Sequence, residues 1–129
     1  MNFKETRPIY LQIAERICDE ILSGEFKEEE RVTSIRDYSA LVEVNPNTVM
    51  RTYDYLQQQE IIFNKRGIGY FVSQGAVKMI KRMRKETFLN EDINNFFQQI
   101  YSLDIPMEKI VDLYDKFIDK QNKIKEKQQ

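Results

Sequence analysis

Val44-Asn45-Pro46-Asn47-Thr48-Val49-Met50-Arg51-Thr52-Tyr53-Asp54-Tyr55-Leu56 is the stretch on which the fold turns. It begins with the chemistry of a helix start. Asn45 suits the N-cap, because its side-chain oxygen can accept from an otherwise unpaired first-turn amide. Pro46 then falls at the first helical position, where the missing N–H costs nothing and the fixed φ suits the helix. Val49, Tyr53 and Leu56 recur at i, i+4 and i+7, so one face is apolar and can dock on a core. Asn47 and Arg51, four apart, share another face, and Thr48 sits beside them. Amide, hydroxyl and guanidinium groups are the side chains that meet base edges and phosphates in a major groove. The same pattern also describes an ordinary amphipathic helix with a polar outer face, so the flanking sequence has to decide.

Immediately upstream, Ser34 can cap a short helix over about residues 35–41, with Asp37 in the capping-box position. Ile35, Tyr38 and Leu41 are expected to face inward; Arg36 and, across the turn, Asn45 face outward. Only Val42-Glu43-Val44 separates this helix from the next, the spacing of a helix-turn-helix. Earlier still, Tyr10, Ile13, Ala14, Ile17, Cys18, Ile21 and Leu22 form a broad apolar stripe over residues 8–22. Pro8 is placed as a first-turn residue and Gly24 as the terminator. The acidic residues 25–30 read as a surface connection, followed by a brief extended stretch at Val32. Downstream the period becomes extended. Ile61-Ile62-Phe63 and Tyr70-Phe71-Val72 flank Asn64-Lys65-Arg66-Gly67-Ile68-Gly69, a β-hairpin with a basic tip. Gly67 can take a positive φ in the turn, and Gly69 allows close backbone approach by a partner. The hairpin can simply cover the core, or its Lys65 and Arg66 can reach phosphates or the minor groove. Three helices and a hairpin in this order predict a winged helix-turn-helix.

Composition narrows the function. The 129 residues suit one domain or a small domain with an appendage. There is no histidine, one cysteine and only four glycines, which removes the commonest general base, the cysteine zinc patterns and a phosphate-binding glycine loop. The carboxylates form no recognisable acid/base pair. No enzyme, metal site or cofactor is expected. Cys18, on the first helical stripe, is a buried structural residue. No apolar run approaches the roughly 20 residues of a membrane span, and MNFKETRP carries no signal-like segment, so a cytoplasmic, membrane-free protein is expected. The net charge of −1 counts against nucleic-acid binding. The charges are nevertheless segregated, with acids at Glu15, Asp19, Glu20 and residues 25–30, and bases at Arg31, Arg36, Arg51, Lys65 and Arg66. DNA responds to the field within about 8–10 Å, so the local distribution decides.

From residue 74 onward the chain is helical. Lys78-Met79-Ile80-Lys81-Arg82-Met83-Arg84-Lys85 is basic, with Val77, Ile80 and Met83 on one face; it is open to interpretation as a solvated linker helix or as an added attraction for phosphates. Leu89, Ile93, Phe96, Phe97, Ile100 and Tyr101 mark a second apolar face. Pro106 breaks the chain, and Ile110, Val111, Tyr114, Phe117 and Ile118 follow at the three-four spacing of a packed seam, ahead of a frayed polar tail over residues 120–129. Some 50 residues are too few to bury such stripes well alone. Pairing with a second copy would cover them and give a two-fold dimer; packing back on the winged helix as a monomer is the alternative. The expected organisation is a mostly α protein with a small β-hairpin. Residues 1–73 form a winged helix-turn-helix, and residues 74–129 a short all-helical dimerisation region.

Four blocks, Pro8-Ile9-Tyr10-Leu11-Gln12-Ile13, Arg31-Val32-Thr33-Ser34-Ile35-Arg36, Val44-Asn45-Pro46-Asn47-Thr48-Val49 and Arg66-Gly67-Ile68-Gly69-Tyr70-Phe71-Val72, resemble in order and spacing the GntR family of bacterial transcription regulators. The Asn-Pro-Asn-Thr-Val variant and the short C-terminal part resemble its YtrA subfamily. The resemblance covers residues 8–73. It implies a homodimeric regulator, most simply a repressor, on a double-stranded, near-palindromic operator. It implies DNA contacts by Arg36, by Asn45, Asn47 and Thr48, and by the wing residues Arg66, Gly67 and Gly69. Many members carry arginine where this chain has Pro46 and Met50; here the guanidinium stands at Arg51. The family's proline before Ser34 is replaced by Thr33. The C-terminal part leaves little room for an effector pocket of ~300 Å³ or more. The other class of function open to this sequence is a winged helix that binds protein instead of DNA.

Overall fold

The computed structural model describes residues 7–128; residues 1–6, which hold most of the stretch expected to lack a signal, and Gln129 lie outside them. Two compact units divide after Arg84. The first contains α1 (Ile9–Leu22), α2 (Ile35–Val42), α3 (Pro46–Gln58), β1 (Ile62–Lys65), β2 (Gly69–Val72) and most of α4 (Ala76–Thr87). The second contains a π-helical turn (Phe88–Asp92), α5 (Ile93–Ser102) and α6 (Met107–Lys127). Mostly helical, with one two-stranded hairpin, the fold is that of a winged helix-turn-helix followed by helices.

α1 supplies the base of the core. Ile13, Ala14, Ile17, Cys18 and Ile21 are all buried, as the stripe requires. Burial also pushes the Cys18 thiol up to about 11, so it stays protonated and unreactive at neutral pH. Pro8 stands at the N-cap, one residue ahead of its expected place in the first turn, and its carbonyl accepts from the Leu11 and Gln12 amides. Gly24, at φ +87°, ends the helix as expected. α2 is capped by Ser34, whose hydroxyl accepts from the Asp37 amide at 3.1 Å. Leu41 departs from expectation: it is 63% exposed. The inward row of this two-turn helix runs through Ile35, Tyr38, Ser39 and Val42, and the Ser39 hydroxyl is satisfied by donating to the Ile35 carbonyl at 2.6 Å. Glu43, in the left-handed conformation at φ 55°, closes α2 and turns the chain into α3.

β1 and β2 pair antiparallel, Ile62 with Val72, Phe63 with Phe71 and Lys65 with Gly69. The segment before α2 joins them as a third, bridge-like strand. The Glu29 amide donates to the Val72 carbonyl and the Val32 amide to the Tyr70 carbonyl, both at 2.8 Å, and Arg31 faces Phe71 across an isolated bridge. The acidic connection therefore ends inside the sheet, with Val32 fully buried. Compactness carries the first unit past residue 73, the boundary expected from sequence. Ala76 and Ile80 of α4 belong to the same buried cluster, with Val77, Met79 and Met83 packed against it. The Glu28 carboxylate accepts from the Gly75 amide just before α4, a favourable place for a negative charge. This basic helix is consequently part of the first unit and not a solvated linker.

In the second unit neither the π turn, α5 nor α6 contains a buried residue. The π turn interrupts the helical register between α4 and α5. α6 starts after Pro106 with Glu108 in its first turn, as expected, and stays helical to Lys127 in place of the expected frayed tail.

Tyr53 of α3 ties the first unit together. Its buried hydroxyl donates to the Thr33 carbonyl at 2.6 Å, and its ring lies 5.0 Å from Tyr70 and 6.4 Å from Tyr38, centroid to centroid. Tyr53→Phe keeps the ring contacts and leaves that carbonyl without its donor. It should lower the unfolding free energy by about 1–2 kcal/mol in urea titration, the cost of an unsatisfied polar group; unchanged stability would show that water replaces the hydroxyl.

Candidate nucleic-acid interface

α3 presents its polar residues from a well-fastened start. The Asn45 side-chain oxygen accepts from the Asn47 amide at 2.8 Å, which confirms the cap. Val49, Thr52, Tyr53 and Leu56 are fully buried, so the helix cannot roll on the core. Thr52 completes this: its hydroxyl donates to the Tyr10 carbonyl at 2.8 Å and locks α3 to the beginning of α1. Asn45, Asn47 and Arg51 are then exposed, and Thr48 is half-buried. Arg36, in the first turn of α2, is exposed as well.

Arg51 does not hang free. Its guanidinium carbon lies 4.0 Å from the centroid of the Tyr10 ring, a close cation–π contact. Tyr10 is in turn held edge-on by Tyr55 at 6.2 Å. On the hairpin, the Lys65 ammonium sits 4.4 Å from the Phe71 centroid and 5.9 Å from that of Phe63, the two rings being stacked 5.9 Å apart. Lys65 thus bends over the sheet's outer face, whereas Arg66 projects at the tip. Gly67, at φ +81° with open space around it, is there for the turn.

Gly69 has a role that the sequence did not reveal. At φ +145°, a β-carbon here would lie 2.9 Å from Nε of Arg31 and 3.1 Å from one of its terminal nitrogens. The group that approaches this glycine closely is the chain's own Arg31. Arg31 thereby lies at the root of the wing, exposed to solvent. Arg31 stands among the bases counted in the sequence, but its proximity to Gly69 depends on the bridge between residues 31 and 71, a tertiary pairing.

The ion pairs are unevenly distributed. Acids of α1 are matched locally: Glu15 with Arg7 at 2.8 Å, Asp19 with Arg84 at 2.7 Å, and Glu20 with Arg16 at 3.2 Å and with the Tyr38 hydroxyl at 2.8 Å. None of Arg31, Arg36, Arg51, Lys65 and Arg66 has a carboxylate within ion-pair distance among the described residues. Lysines elsewhere, such as Lys27 and Lys78, are likewise outside the ion pairs, so what distinguishes the helix-turn-helix and the wing is the clustering of their cations.

In the second unit, Leu89, Phe96, Phe97, Tyr101, Val111, Tyr114 and Phe117 are exposed, and Ile93, Ile100, Ile110 and Ile118 are half-buried. Phe88, Leu103, Met107, Leu113 and Ile124 add to this exposed apolar surface.

A capped, rigidly docked helix after a tight turn, followed by a basic hairpin, defines a winged-helix DNA-binding protein. Residues 9–72 match the gntR family of bacterial regulatory proteins. A solved putative transcriptional regulator of that family from Bacteroides thetaiotaomicron is 53% identical, superposes with a TM-score of 0.77, and is matched over 88% of this chain and 99% of that one. The HTH-type transcriptional regulator YhcF of Bacillus subtilis is 29% identical over 86% of this chain and 90% of its own length. The HTH-type transcriptional repressor YtrA of the same organism is 27% identical over 83% of this chain and 82% of its own. The chain belongs to the GntR family of DNA-binding transcription regulators, and is not an enzyme.

Gly69→Ala introduces both a disfavoured φ and a β-carbon against Arg31. It should cost about 1–3 kcal/mol and speed hydrogen exchange at the Val32 and Val72 amides, which hold the third strand. Equal exchange in both proteins would dismiss the proposed anchoring.

Proposed function

We propose that the protein is a homodimeric repressor that binds a near-palindromic operator, with residues up to Arg84 reading DNA and the helices after it pairing two copies. What carries the DNA reading is the unpaired set of cations around α3 and the wing. Arg36, Asn45, Asn47, Thr48 and Arg51 meet base edges and flanking phosphates in the major groove. Lys65 and Arg66 hold the backbone or the adjacent minor groove, with Gly67 and Gly69 shaping the wing. Arg31 joins them as a backbone contact. The repressor assignment follows the printed description of the related YtrA. The complex of the structurally similar BusR with its busAB-promoter DNA illustrates the fold engaged with duplex.

The dimer reading is supported by the second unit's lack of any buried residue. Twelve large apolar side chains are exposed there. Burying half of them would contribute on the order of 10 kcal/mol, comparable with the ~4–15 kcal/mol cost of association. Two-fold pairing of these faces presents two α3 helices to two half-sites, which is why a near-palindrome is expected.

Selection of bound duplexes from random DNA, with mass measured on the same sample, tests class and stoichiometry together. A near-palindromic consensus with dimer mass is the expected result. Binding that ignores salt and sequence would favour a protein-docking winged helix. Arg36→Ala and Arg51→Ala should each weaken binding to the selected operator by about 1–3 kcal/mol with an unchanged unfolding midpoint. Arg31→Gln should lower the slope of log K against log salt by about 0.9 per protomer while leaving the consensus unaltered. Val111→Asp combined with Phe117→Asp should give monomer mass in sedimentation; persistence of the dimer would place the interface elsewhere.

A further inference from the structure

Beyond Pro46 at its first position, Met50 is the apolar exception on the outer surface of α3. It is 46% exposed, in the second turn, one turn from Asn47 on one side and from Asp54 on the other, both of them exposed and polar. The remaining outward positions of the helix, Arg51 and Gln58, are polar too. Its neighbours lean away from it. Arg51 is drawn onto Tyr10, and Asp54 lies close enough to the hairpin to raise the pKa of Tyr70, after the larger effect of burial. The inference deepens the reading of α3 as the recognition helix and rests on it. A helix inserted in the major groove meets donors, acceptors and one apolar group, the C5-methyl of thymine. An unbranched, polarizable methionine side chain can adjust to such a methyl, whereas against the polar edges of the other bases it would only displace water.

We propose that Met50 is a specificity-determining residue that reads thymine, its side chain lying against the C5-methyl of one thymine in each half-site.

The test uses the full-length protein and a duplex selected from random DNA, with thymines replaced one position at a time by deoxyuridine. This removes the methyl and keeps base pairing and the acceptor pattern. The wild type should lose about fourfold in affinity at one thymine position per half-site, the worth of one buried methyl. Met50→Ala should bind the thymine and deoxyuridine duplexes equally at that position, and Met50→Leu should keep the preference. Indifference of the wild type to every substitution overturns the proposal, as does a preference that survives in Met50→Ala. In both cases specific binding to the parent duplex leaves the recognition-helix reading standing. If no duplex is selected over competitor DNA, that reading fails and the Met50 assignment with it.

Discussion

The fully buried Tyr53 is the residue on which the DNA-facing geometry depends. Its ring meets Tyr38 of α2 and Tyr70 of β2, and its hydroxyl donates to the Thr33 carbonyl between the third strand and the Ser34 cap. One side chain of α3 thus touches α2, β2 and the segment that leads into α2. Without such a hub the hairpin would be a marginal two-stranded element, since isolated hairpins are barely stable in water. With it, the orientation of the wing is set by the same residue that sets the depth of α3. Thr52 adds the second fixed point, through Tyr10. Together they hold α3 against α1, α2 and β2.

How much of this is legible in the sequence follows from the range of the interactions. α3 was legible because its cap, its proline and its apolar row all lie within a dozen residues and agree. The hairpin was legible from its change of period and its glycines. Leu41 was misplaced because an eight-residue helix offers two phases of nearly equal apolarity, and the choice between them is made by what Tyr38 packs on. The Val77, Ile80 and Met83 row of α4 is visible in the sequence, but that it packs on the core of the first unit depends on tertiary contacts the sequence does not show. The π turn has no sequence signal of its own. The Arg31–Gly69 contact needs a strand pairing across forty residues of chain, so Gly69 could be recognised as special while the reason for it could not.

A contrast between the two units carries the same physics. The first buries tyrosines and aliphatics and leaves polar groups outside; the second leaves phenylalanines and tyrosines outside and buries nothing. A surface of that size and composition on one stretch of chain is the kind that marks an interaction site.

The partners chosen for the exposed cations bear on binding itself. An arginine held by a carboxylate must give up that pair to meet a phosphate, and the lost pair offsets the new one. Arg51 and Lys65 are instead held by aromatic faces, Tyr10 and Phe71. A ring restrains the side chain by contact with the flat face of the guanidinium, or with the ammonium, and leaves N–H donors at the edges unused. The carboxylates of α1, by comparison, are paired with Arg7, Arg16 and Arg84. Net charge near zero is compatible with a DNA surface because the charges are unevenly held: the carboxylates of α1 are paired where they stand, and Arg51 and Lys65 rest on rings that do not compete for phosphate.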